Sequence, residues 1–193
     1  MRKIILSIVV LAMMFSAGCS RQELECDVCV YGGTSAGVIA AYAVAQQGKS
    51  VLLIEPGYRL GGMSSGGLGQ TDIGNKQVVK GLSLDFYRRV GAHYDALEHW
   101  IFEPSVAEKV FNDYIERGNV EVLYGHRILD ARKDDTHITS IKLENTAKMC
   151  GRTDLKAKVF IDCSYEGDLM ARSGVEYVVG REPNSKYNET WNG

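Results

Sequence analysis

The sequence predicts an α/β fold built on a parallel sheet, and three features predict it. Apolar runs of strand length alternate with helical stretches from Cys26 to Gly125. A glycine turn, "YGGTSAG", joins the first run to the first helix. An acid, Glu55, closes the second run, 23 residues after Gly32. Strand, glycine turn, helix, strand and terminal acid together make a dinucleotide-binding (Rossmann-like) unit of the length a strand–helix–strand crossover needs.

Each element has its own warrant. "CDVCVY" is apolar enough for a strand buried on both faces. "SAGVIAAYAVAQQG" reads as a helix ended by Gly48, and its alanines let it lie close on a sheet. "SVLLIE" is the second strand. Residues Gly57 to Asn75 form a glycine-rich loop. Leu82, Phe86 and Val90 mark a helix over roughly 82–94. A further helix runs over about 105–117, introduced by Pro104 and ended by Gly118, with Val106, Val110 and Tyr114 on one face. "VEVLYG" is the third strand. The pattern then changes: "ILDARKDDTHITSIKLEN" alternates around "KDD", as an inserted antiparallel hairpin or meander does. "KAKVFIDCS" is a last strand, followed by a turn-rich end without a closing element, so the fold reads as incomplete at its C-terminus.

The turn points to a phosphate. Gly32 supplies the tight turn and Gly37 lets helix and strand approach. The helix start offers free N–H groups and the positive end of its dipole to an anion. Glu55 stands where a carboxylate accepts hydrogen bonds from ribose hydroxyls. Thr34 breaks the G-x-G-x-x-G pattern at its middle glycine. Its Cβ would hold a phosphate off, or its hydroxyl, like that of Ser35, would donate to a phosphate oxygen.

Bulk properties narrow the function. The chain has 193 residues, 45% of them hydrophobic and 24% charged, as a globular domain does. A net charge of −2 gives no electrostatic basis for nucleic-acid binding. Residues 1–18 carry a basic start, an apolar stretch from Ile4 to Phe15 and the small-residue end "SAG". That is a signal peptide, too short to span a bilayer comfortably. Cys19 follows as in a bacterial lipobox, with Ser16 where Leu is usual, so lipidation of Cys19 is expected, the alternative being a plain secretory signal with an incidental Cys; residues 19–25 read as a tether and the folded domain spans 26–193. The location implied is the periplasm or cell envelope, with membrane contact only through the lipid. Cys26 and Cys29 are three apart in a strand, which predicts opposite faces and no shared metal or disulfide. No metal site and no catalytic residue is predicted. His93, His99, His126 and His137 are candidates by type alone.

With Gly61 and Gly62 following Glu55, the chain resembles the FAD-dependent oxidoreductases with a glutathione-reductase-like Rossmann domain. It is most similar to bacterial members with "YGGTPAG" at the turn, where Thr is usual in the middle. The likeness extends through "GGMSSGGLGQTDIG", "EPSVAEKVFNDYI", "VLYGHRI", "FIDCSYEGDLMARSGV" and "VGREPNSKYNET", from Cys26 to Gly193. It implies FAD as cofactor. Gly32, Gly33, Thr34, Ser35, Ala36 and Gly37 would hold the pyrophosphate and Glu55 the adenosine ribose. Gly61, Gly62 and Met63 would lie along the dinucleotide, Arg127 and the Ile128 backbone near adenine, and Cys163 and Ser164 in a turn by the nucleotide. Asp168 would be polar support there or a helix cap.

Members of that family are longer, so the chain is expected to be an N-terminal part, inactive alone and with weak or absent FAD retention. Its partners would be the missing C-terminal portion and a small-molecule substrate that the sequence does not identify. The alternative is a non-catalytic exported domain that keeps the nucleotide fold for partner binding. A nicotinamide-dependent dehydrogenase is disfavoured by the glycine pair and the hairpin.

Overall fold

The computed structural model describes residues 22–72, 74–148 and 151–191. Residues 1–18, read as a signal peptide, as well as Cys19 and Cys150 lie outside them. In chain order the elements are β1 (Gln22–Tyr31), α1 (Ser35–Ala45), β2 (Val51–Glu55), the short α2 (Met63–Gly66), α3 (Gly81–Gly91), α4 (Pro104–Gly118), β3 (Glu121–Tyr124), β4 (His126–Asp134), β5 (His137–Asn145), β6 (Arg152–Asp162), α5 (Asp168–Arg172) and α6 (Asn184–Tyr187). One six-stranded sheet has the order β3-β2-β1-β6-β5-β4. Strands β3, β2, β1 and β6 are parallel, and β5 and β4 continue antiparallel. This is the α/β, Rossmann-like architecture expected, with its hairpin.

The sheet separates two cores. Val30 and Leu53 face the helices, where Val38, Ala41, Val110, Phe111 and Tyr114 meet them. Cys29, Tyr31, Leu52 and Ile54 face the other way and meet Ile128, Ile141, Leu143 and Leu155 of the β4–β6 layer. Covering both faces is what makes the end of β1, Cys29–Tyr31, read as an apolar run, because neither side meets water there.

Local chemistry explains the boundaries. Helix α1 starts on Thr34, whose hydroxyl accepts the Gly37 N–H, and it is followed by Gly48 at φ 72°. Pro104 begins α4, and Asn119 in the left-handed region ends it one residue past the expected Gly118. Tyr42 of α1 meets Tyr114 of α4 edge to face at 5.0 Å. The hairpin turns on Asp135 and Thr136, with Asp134 opposite His137.

Two expectations need correction. Gln22–Glu25, placed in the tether, are strand and pair with Thr153–Lys156. Cys26 and Cys29 do not face apart, since both pack against the β4–β6 side. The amides of Asp27 and Val28 donate to the same carbonyl, Ser50, and such a bulge shifts the alternation by one residue. The two cysteines are nevertheless free thiols. Burial pushes the Cys26 thiol up to about 11 and Cys29 well above its ordinary value.

Candidate functional site

Because β1, β2 and β6 run parallel, Tyr31, Glu55 and Asp162 all end at one edge of the sheet, where open α/β sheets bind ligands. Three turns leave that edge: Gly32–Thr34, Pro56–Gly62 and Cys163–Gly167.

The first turn is held from every side. Gly32 has φ 99°, and a Cβ there would lie 2.7 Å from the Ser164 nitrogen. A Cβ on Gly37 would lie 1.8 Å from the Gly32 carbonyl oxygen. Gly33 donates its N–H to Glu55 Oε2 at 2.7 Å and accepts from the Gly61 amide at 2.8 Å. Gly57 donates to Glu55 Oε1 at 2.6 Å. Both carboxylate oxygens are thus pinned by backbone donors, and each keeps lone-pair capacity for another.

Thr34 turns inward. Its hydroxyl donates to the Cys163 carbonyl at 2.8 Å and accepts from Gly37, which leaves no hydroxyl proton for a phosphate. Ser35 donates to the Gly61 carbonyl at 2.9 Å and lies 3.0 Å from the Ser64 hydroxyl. Ser35 and Ala36 are the first two residues of α1, so their amides have no acceptor within the helix, and Ala36 is exposed. The outward-facing anion donors at this turn are therefore backbone amides.

The second turn lies alongside. Gly61 and Gly62 both have positive φ. A Cβ on Gly61 would strike Phe111 at 2.3 Å. Met63 is exposed and its amide donates to the Tyr165 hydroxyl at 2.8 Å. Beside Ser35 and Ala36 a cavity of about 240 Å³ opens, lined also by Ile39, Ser64, Ser83, Phe86, Tyr87 and Phe111. It combines three serine hydroxyls with an aromatic and aliphatic wall.

The third turn is anchored by Asp162, which accepts from the Ser164 amide, the Ser164 hydroxyl and the Met170 amide. Cys163 is half-buried, packs against Gly37, and its thiol is pushed up by burial and then by Asp162. Asp168 opens α5 after Gly167, with its amide on the Ser164 hydroxyl, so the cap position belongs to Gly167.

The adenine-side expectation changes most. Ile128 is buried and its amide donates to the Tyr31 hydroxyl inside the core, so that amide is not available to a base. Arg127 pairs with Glu144 at 2.6 Å. The four histidines lie elsewhere: His99 stacks on Tyr94, His126 bonds the Tyr124 carbonyl, and His93 and His137 are exposed.

Sequence reasoning brought Gly32–Gly37, Glu55, Gly61–Met63 and Cys163 to one place. It missed Asp162, Tyr165, Ser64 and the aromatic wall. An acid ending "VFID" was the available signal for Asp162. The others depend on contacts that no local pattern carries. Among the described residues, no group of three His, Cys, Asp or Glu side chains could hold a metal, and no helix is long and apolar enough to cross a membrane.

The donor set suits a dinucleotide: amides for a diphosphate and, beside them, a fixed carboxylate for ribose hydroxyls. Comparison with known proteins agrees. Among solved structures, the chain is similar to Thermovibrio ammonificans THI4 at 18% identity and TM-score 0.57, covering 95% of this chain and 75% of that one. It is similar to L-proline dehydrogenase from P. horikoshii at 12% identity and TM-score 0.58, covering 83% and 59%. A flavoprotein/dehydrogenase from Cytophaga hutchinsonii matches at 18% identity and TM-score 0.59, covering 82% and 44%. The chain thus spans under two thirds of the length of the last two. No curated protein matches it. The model of the FAD dependent oxidoreductase family matches residues 27–192. The chain belongs to the FAD-dependent oxidoreductase family, and its cofactor is FAD.

Proposed function

We propose that this chain supplies the FAD-binding part of an exported bacterial oxidoreductase acting on a small molecule. The diphosphate lies on the Ser35 and Ala36 amides at the start of α1, with Gly32, Gly33 and Gly37 keeping the turn narrow. The adenosine ribose donates to Glu55. Gly61–Met63 and the Cys163 turn flank the dinucleotide, and the cavity lined by Phe86, Tyr87 and Phe111 receives the part of FAD beyond the diphosphate. Thr34 supports the turn from inside. When bound, FAD supplies the redox chemistry, and the protein's task is to hold and orient it. Turnover, the substrate and the need for further chain are part of this proposal, because the chain spans only part of solved structures that it resembles. Export through the signal over 1–18, followed by lipidation of Cys19, would place the domain at the cell envelope.

One observation carries the reading: the Gly33 amide on Glu55 Oε2 ties the sugar acceptor to the phosphate turn. Calorimetric titration with ADP tests it. Glu55→Gln puts an NH₂ against Gly33 or Gly57 and removes the anionic acceptor, so ADP affinity should fall at least about tenfold. Equal ADP binding by wild type and Glu55→Gln would remove Glu55 from the site. No ADP binding by the wild type would favour the non-catalytic domain instead.

A further inference from the structure

Tyr165 stands in the turn after β6, about half exposed at 53%, and reaches across to the second turn. Its hydroxyl oxygen accepts the Met63 N–H at 2.8 Å. Gly62 makes that approach possible, since a Cβ there would lie 2.2 Å from the same oxygen. The next residue, Ser64, touches Ser35 at the first turn of α1 through the 3.0 Å hydroxyl pair. The phenol tip is thus joined, through Met63 and Ser64, to the helix start assigned to the diphosphate.

The bond uses only one side of the hydroxyl. A phenol has one proton to donate as well as lone pairs to accept with. Among the described residues no protein acceptor for that proton accompanies the Met63 contact. A hydroxyl that already accepts an N–H bond is polarised and becomes a better donor. Hydrogen bonds from O–H to an anionic oxygen are roughly twice as strong as neutral ones.

We propose that Tyr165 is a diphosphate-binding residue: its hydroxyl, oriented by the Met63 amide, donates to a non-bridging phosphate oxygen of FAD. The inference rests on the placement of the diphosphate at α1 in the proposed function. Gly62 then matters because a side chain there would displace the donor. The contact adds a directed donor to the two helix amides and joins the β6 turn to the second turn once the cofactor is bound.

The test compares wild type, Tyr165→Phe and Tyr165→Ala with ADP and with adenosine as probes, by calorimetry on the full chain. Tyr165→Phe keeps the ring and removes only the hydroxyl. It should weaken ADP about five- to tenfold, leave adenosine unchanged, and keep the thermal midpoint of the ligand-free protein within about 2 °C. Three results would overturn the inference while leaving the proposed function intact. Tyr165→Phe binds ADP as well as or better than wild type, only Tyr165→Ala loses affinity, or ADP and adenosine weaken together. These would make Tyr165 a competitor, a packing surface or a general support, respectively. Failure of the wild type to bind ADP would overturn both readings.

Discussion

Gly37→Ala tests the geometry on which the phosphate turn depends. The added methyl would lie 1.8 Å from the Gly32 carbonyl oxygen, whereas Cβ contacts below 3.0 Å essentially do not occur. Helix α1 and the β1 turn must therefore separate by at least about 1.2 Å. A radial gap of roughly 0.5–1 Å already forfeits a quarter to a half of the contact energy across it. The residues α1 buries beside Gly37 are Val38 and Ala41, both fully buried. Burying a valine contributes about 1.5–3 kcal/mol, so losing a quarter to a half of that, added to overpacking strain of about 1–3 kcal/mol, gives a destabilisation of about 1.5–4.5 kcal/mol. For a domain of this size that lowers the thermal midpoint by about 3–18 °C. Displacing the Ser35 and Ala36 amides should also abolish measurable ADP binding. Gly48→Ala is the control. It meets nothing within 4 Å but holds φ 72°, so it should cost only about 1 kcal/mol and leave ADP binding untouched. Urea unfolding and calorimetry read both effects. The reasoning fails if Gly37→Ala unfolds within about 0.5 kcal/mol of wild type, or if Gly48→Ala is the more damaging change.

Other consequences follow from groups away from the ligand. Tyr31→Phe strands the buried Ile128 amide and should cost about 1–3 kcal/mol in urea unfolding; a neutral result would mean that the bond adds nothing. Asp27 is held well below the usual carboxylate range by the Lys158 ammonium first and then by Ser50. A depressed folded value means stabilisation present above the unfolded value near about 4 and lost as pH falls through the folded one. Asp27→Asn should therefore lower the thermal midpoint at pH 7, with its gap from wild type closing below about pH 4; a gap constant with pH would show that charge plays no part.

What the sequence disclosed was local. The strand–helix–strand unit, α4 with its proline start, and the hairpin are all patterns within a few turns of chain, and each stands as expected. Glu55 was legible because its distance from the glycine turn is set by one crossover. What escaped was long-range. "QELE" carries one apolar residue, Leu24, too little to announce a strand that exists only through β6. The bulge that turns Cys26 toward Cys29 depends on Ser50, across the sheet. The Met63–Tyr165 and Thr34–Cys163 bonds join residues 102 and 129 positions apart. The engagement of the Ile128 amide escaped for the same reason, since nothing near "HRIL" announces that the Tyr31 hydroxyl takes it.

Thr34 shows what its place in the motif demands. A glycine is required where φ is positive or where a Cβ has no room, and Thr34 meets neither condition, with φ −67° and ψ 175°. The crowded position has moved to its neighbour: a Cβ on Gly33 would lie 2.7 Å from Glu55 Oε2 and from Leu60. The bare residue is thus needed against the carboxylate, while position 34 is free to carry a side chain that caps α1 and braces the β6 turn. Restoring the usual glycine should then do harm. Thr34→Gly loses a few tenths of a kcal/mol at the cap and about 1 kcal/mol with the Cys163 bond, and it should not tighten ADP binding. Thr34→Val keeps the shape but leaves the Gly37 amide and the Cys163 carbonyl without their partner, so it should cost about 1–3 kcal/mol, more than glycine. Urea unfolding ranks the three proteins, and a Thr34→Gly variant that is more stable or binds ADP more tightly would mean that the hydroxyl is incidental and the motif's middle glycine is the better solution here too.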